Sequence, residues 1–163
     1  MTIPLRKQSI SIISSMAATK KKKGIWFLLF YGYLILLIYF LFFSEGLGRN
    51  EASEQYRYNL VFFREIVRFI RWRHILGFKA VFTNVFGNVL AFMPLGFFIP
   101  ALNGKHQNGF WVVLICFSLS LQVEVIQMIT KLGCFDVDDL FLNTLGGMFG
   151  YIVYYIMYKM HHK

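Results

Sequence analysis

Residues 109–129 read GFWVVLICFSLSLQVEVIQMI, and this stretch decides the fold. An apolar run of about 20 residues is long enough to cross the hydrocarbon core of a bilayer as a helix. This one carries a single charge, Glu124. Three other stretches meet the same requirement. Residues 24–43 are uncharged, residues 81–102 carry two asparagines and Pro94, and residues 140–158 follow an acidic turn. The expected fold is all-α, a polytopic integral membrane protein with four transmembrane helices.

Composition agrees. The chain is 57% hydrophobic, and 15% charged residues is fewer than a soluble domain of 163 residues carries. Mean hydropathy is +0.55. The net charge of +9 does not point to nucleic acid. The cations gather in the flanks and one loop, as attraction to a membrane surface predicts. Cys116 lies inside an apolar span and reads as a small core residue. Cys134 has no neighbour that would lower its pKa. None of His74, His106, His161 and His162 has a ligand-like neighbour.

Residues 1–23 are polar and end in four lysines at 20–23, like the basic flank of a signal peptide. The apolar run that follows is too long for a signal-peptide core, and no small-residue cleavage site follows it. An uncleaved first membrane helix is expected, with Met16 as an alternative start and residues 1–15 disordered. The region 24–158 then forms one membrane domain with a basic tail at 159–163. Four helices put both termini on one side. The positive-inside balance is close. Arg6, Lys7, the lysines at 20–23, Lys105, Lys159 and Lys163 oppose Arg49, Arg57, Arg64, Arg68, Arg71, Arg73, Lys79 and Lys131. The lysine run abuts the first helix, which favours cytoplasmic termini in a multi-pass protein of the cell membrane.

The first loop has a pattern of its own. Over residues 58–73, Leu60, Phe63, Val67 and Ile70 recur at helical steps, and Arg64, Arg68 and Arg71 share another face. An amphipathic helix lying in the interface is expected. It serves as a surface anchor, or its arginines grip phosphate on a lipid or lipid-linked substrate, because guanidinium forks suit phosphate oxygens.

The chemistry concentrates at one end of the last three spans. Asn84 and Asn88 come from the second, Glu124 and Gln127 from the third, and Asp136, Asp138, Asp139 and Asn143 from the fourth and the turn before it. Polar groups in a bilayer persist where they pair, bind or react. Asn84 and Asn88 fit interhelical hydrogen bonding as well as ligand binding. Glu124, roughly 7 Å inside its helix end at 1.5 Å per residue, is a structural carboxylate, a general acid/base or a cation ligand. One aspartate suffices to cap a helix. Three in four residues repel unless something positive sits among them: a divalent cation, a first-loop arginine or Lys131. An all-oxygen set of Glu124, Asp136, Asp138 and Asp139 would favour Mg²⁺ or Ca²⁺. Gly146 and Gly150 form a close-packing pair.

These motifs resemble the VanZ-like family over residues 59–151. Asn59-Leu60-Val61-Phe62-Phe63-Arg64-Glu65-Ile66 is similar to its N-L-x-P-F-x-x-I. Asn84-Val85-Phe86-Gly87-Asn88 and Phe92-Met93-Pro94-Leu95-Gly96 resemble its N-x-x-G-N-x-x-x-F-x-P-L-G. Glu124-Val125-Ile126-Gln127, then Asp136-Val137-Asp138-Asp139-Leu140, then Asn143-Thr144-Leu145-Gly146-Gly147 complete the likeness. Phe62 stands where the family often has proline, and Lys131 lies in the stretch where many members carry an arginine. The resemblance implies a small polytopic membrane protein of bacterial, often Gram-positive, origin. It also implies an association with resistance to teicoplanin-type glycopeptides.

Three functions compete. The first is a cell-envelope factor whose acidic cleft, on the extracytoplasmic side, receives a lipid-linked cell-wall precursor or an amphiphilic glycopeptide. The second is a metal-dependent enzyme acting on a lipid-linked phosphate or isoprenyl headgroup, with Glu124 as acid/base. The third is a structural module whose polar residues only join helices.

Overall fold

The computed structural model describes residues 24–42, 56–76, 78–103 and 108–161. The expectations for residues 1–23, the alternative start at Met16 and the lysine run lie outside them. Four helices are long and apolar enough to cross a membrane. The first, α1, runs Gly24–Phe42. Among the described residues, those up to Ile35 belong to one compact unit and those from Leu36 onward to another. In the first unit, the Phe30 ring lies 6.1 Å from Tyr31 and 6.3 Å from Tyr33.

In the second unit, β1 (Arg57–Asn59), α2 (Arg64–Arg71) and α3 (Arg73–Leu76) precede α4 (Phe78–Asn103). Then come α5 (Gly109–Ile129), β2 (Cys134–Asp136) and α6 (Val137–His161). The architecture is all-α but for one small addition: β1 and β2 pair in parallel, with Arg57, Tyr58 and Asn59 opposite Cys134, Phe135 and Asp136.

Local chemistry sets the boundaries. Asn108 caps α5, its side chain accepting the Phe110 N–H at 3.1 Å. Lys131 closes the other end in the left-handed region, φ 59°, with its N–H on the Met128 carbonyl. α6 starts three residues before the expected 140, because Asp136 Oδ1 accepts the Asp138 N–H at 2.8 Å and caps the new first turn. The first-loop helix is shorter than the periodicity over 58–73 implies. Asn59 is committed to β1, and Phe63, left-handed at φ 63°, sets the start of α2.

The helices meet at their small residues. A methyl group on Gly146 would land on the Val89 carbonyl, and one on Gly150 on the Met93 carbonyl. The α6 backbone therefore lies directly against α4. Gly147 faces the Cys116 sulfur, so that cysteine is the buried core residue its span implied. α4 continues through Pro94 and Pro100 as one helix. Phe92, Leu95, Val112 and Leu142 fill the interior.

Candidate functional site

The polar residues converge where α5 ends, β2 crosses and α6 begins. Glu124 is 1% exposed. Its Oε2 accepts the backbone N–H of Asp136 at 2.9 Å. That bond ties β2 to α5 across the intervening turn. Asp136 Oδ1 in turn accepts the Asn59 amide at 3.1 Å as well as the Asp138 N–H. Asn59 completes the link by accepting the Val61 N–H on its own oxygen at 3.3 Å.

Asp138 is also 1% exposed. It reaches out of α6 to the start of α2. One carboxylate oxygen accepts the Phe63 N–H. The other accepts Glu65 N–H at 2.8 Å and Ile66 N–H at 3.3 Å. α2 has no side-chain cap of its own, so a carboxylate 75 residues away in sequence caps it. The helix macrodipole puts partial positive charge at that end. Capping also accounts for the strain at Phe63: a left-handed bulky residue costs about 1–2 kcal/mol, and hydrogen bonds to a charged acceptor, each worth about 1.5–3 kcal/mol, offset it.

Asp139 accepts the Asn88 amide of α4. The three aspartates thus point apart to three partners: the α6 start with Asn59, the α2 start, and Asn88. The Asn59 and Asn88 amides supply positive edges beside Asp136 and Asp139. Among the described residues, no group of three or more His, Cys, Asp or Glu is placed to hold a metal ion. Lys131 sets its ammonium 5.1 Å from the centre of the Tyr56 ring, an electrostatically favourable position.

Deeper in the bundle, the Asn143 amide donates to Ser120 Oγ at 2.9 Å, while Asn143 Oδ1 is buried without a partner. Gln127 donates to the Leu41 carbonyl at 2.8 Å, joining α5 to the end of α1. The side chain of Asn84 lies outside the described residues. Burial pushes the Asp136 carboxyl up from its ordinary range, against the opposing hydrogen bonds from Asp138 and Asn59. Burial also raises the Cys134 thiol, with the Asp136 charge adding to it.

Arg64 and Arg68 stand apart from this network, on the outer face of α2. Arg68 pairs with Glu65 at 2.9 Å. Together with Arg71 they line a groove of about 410 Å³.

Residues 30–158 match the VanZ/LLP1 family. The chain belongs to that family. It is 33% identical over 73 residues to Protein VanZ of Enterococcus faecium, a match covering 45% of each chain. The chain therefore spans less than half the length of that relative. No solved structure matches it.

In this VanZ/LLP1 member, two further residues join the site beyond those the motifs single out. Asn59, the first residue of a family-like stretch, is 5% exposed and bonded to Asp136. Ser120, buried and bonded to Asn143, shares the helical stripe of Glu124 and Gln127. Phe62, standing where proline is frequent, is the second residue of a turn closed by the Arg64 N–H on the Val61 carbonyl at 3.3 Å. That bond uses no N–H of residue 62, and proline is itself favoured at this position of a turn, so either residue is compatible with it.

Proposed function

We propose that this multi-pass membrane protein contributes to resistance against teicoplanin-type glycopeptides, acting at the extracytoplasmic face without turning over a substrate. Membership of the VanZ/LLP1 family supports the cell-envelope setting. One observation carries the rest: the buried carboxylate of Asp138 is taken up by three N–H groups at the start of α2. A carboxylate so occupied serves better to shape a surface than to shuttle protons. On this reading Glu124, Asp136 and Asp138 form a chain of supports that fixes the first loop over the membrane spans. The termini are cytoplasmic, and the fixed loop faces the cell wall. There it alters how a lipid-tailed glycopeptide or its lipid-linked target is met.

The test is teicoplanin susceptibility in a sensitive Gram-positive host. Wild type is compared with Asp138→Asn/Asp139→Asn at matched membrane levels. Protection by the wild type and none by the double variant is the expected result. Equal protection by both would remove the network from the function. Protection that depends on added Mg²⁺ or Ca²⁺, or is abolished by chelation, would replace this reading with the metal-dependent enzyme.

A further inference from the structure

The outer groove of α2 has two kinds of wall. Arg64, Arg68 and Arg71 form one, and Phe62, Val67 and Trp72 contribute to the other. Residues at i, i+4 and i+7 share a helix face, so the three guanidinium groups fall on one side of eight residues. Glu65 engages Arg68. Arg64 and Arg71 make no ion pair among the described residues. They lie seven residues apart, about 10 Å along the axis, and open into the same cavity.

The depth of this groove is set by the network behind it. Asp138, which caps α2, is in the first turn of a membrane-spanning helix. The Phe63 ring meets the Phe141 ring edge-on at 5.6 Å, one turn further into that span. Leu60, Val61 and Phe62 beside it are 61%, 58% and 63% exposed. Three consecutive apolar side chains left open at the end of a span are placed to meet lipid. The arginines then stand at the level of the headgroups.

We propose that this groove is a binding site for an anionic phospholipid, with its phosphate held by Arg64 and Arg71 and its glycerol and upper acyl segments against Phe62, Val67 and Trp72. Guanidinium forks match phosphate oxygens two by two. A volume of about 410 Å³ is in the usual range of ligand pockets and far larger than a bare phosphate requires. The apolar wall has no purpose for a soluble phosphate. Generic attraction of basic residues to an anionic surface is worth about 1 kcal/mol each and fades beyond a Debye length. A fitted site differs by resisting salt and by choosing between lipids. The inference does not depend on the resistance reading, since lipid binding is measured without a phenotype.

The full chain, purified in a neutral detergent, would be titrated with phosphatidylglycerol or phosphatidylcholine and bound lipid counted by native mass spectrometry. Phosphatidylglycerol is expected to bind more tightly by on the order of tenfold, the equivalent of about 1.4 kcal/mol. That preference should persist at about 0.5 M salt, where the Debye length is well under 10 Å. Arg64→Gln/Arg71→Gln should abolish it, and Arg64→Lys/Arg71→Lys should restore part of it. Lys159→Gln, at the other end of α6, should leave it intact. These side chains are exposed, and unchanged binding of phosphatidylcholine reports that the variants are folded. Equal binding of both lipids, or no effect of the Arg64 and Arg71 changes, would overturn the proposal. So would an equal loss in Lys159→Gln, or displacement of the lipid by a similar concentration of soluble glycerol phosphate.

Discussion

At the scale of single residues, the result that matters is a division of labour among three aspartates. Asp136 caps its own helix, Asp138 caps another, and Asp139 binds Asn88. Asp138→Ala would strand three N–H groups at the start of α2. Each hydrogen bond to a charged acceptor is worth about 1.5–3 kcal/mol, whereas the Phe63–Phe141 ring contact and the Arg64–Val61 turn bond remain in the variant. The expected outcome is local: amides of Phe63, Glu65 and Ile66 lose hydrogen-exchange protection while those of α5 keep it. Protection unchanged at these amides would mean that the cap is not what holds α2. Asp136 makes a second prediction. Burial raises its folded pKa, so its contribution to stability is complete below the ordinary carboxylate value and is lost as pH rises through the elevated one. As pH rises from about 4, the ordinary carboxylate value, wild type should lose more thermal stability than Asp136→Asn. The variant keeps an oxygen to accept from Asn59 and Asp138 but no longer titrates. Parallel curves for the two proteins would exclude the effect.

At the scale of elements, helices and their contacts were open to reading because each follows from a repeated physical demand. A span must be apolar for about 20 residues, so α1, α4, α5 and α6 announced themselves. Gly146 and Gly150 announced close packing in the same way. Gly150→Val would drive a branched side chain into the Met93 carbonyl and force α6 off α4. Overpacking typically costs about 1–3 kcal/mol, and a rigid carbonyl leaves little room to yield. The variant should unfold in micelles at a clearly lower denaturant concentration than wild type, and an unchanged midpoint would mean that α4 and α6 can separate freely. The strands were hidden for the opposite reason. β1 and β2 are three residues each and too short to show alternation. What pairs them is a contact across 77 residues, Asn59 to Asp136. A capping aspartate at the start of the fourth helix was legible, but which of the three does it was not: Asp136 does, and α6 therefore begins at Val137.

At the scale of the whole molecule, the strand pair decides how the first loop communicates with the spans. The cluster of polar residues at one end was legible from their cost in lipid. Their partners were not, because a carboxylate that caps a remote helix has the same sequence signature as one that binds a metal. The register gives a direct handle. Arg57 lies opposite Cys134, and strand neighbours stand within the roughly 4.4–6.8 Å between Cα atoms that a disulfide tolerates. Arg57→Cys should therefore cross-link to the native Cys134 on mild oxidation in membranes, whereas Tyr58→Cys, one register step away and on the opposite face, should not. A shifted electrophoretic mobility that reverts with reductant would report the bond. If both variants cross-link equally, the loop samples several registers and is not fixed by the carboxylate network. If Arg57→Cys alone does so, and the oxidised protein still protects cells from teicoplanin, then the loop works as a rigid shelf. Loss of protection on cross-linking, with recovery on reduction, would instead mean that β1 must leave β2 for the protein to act.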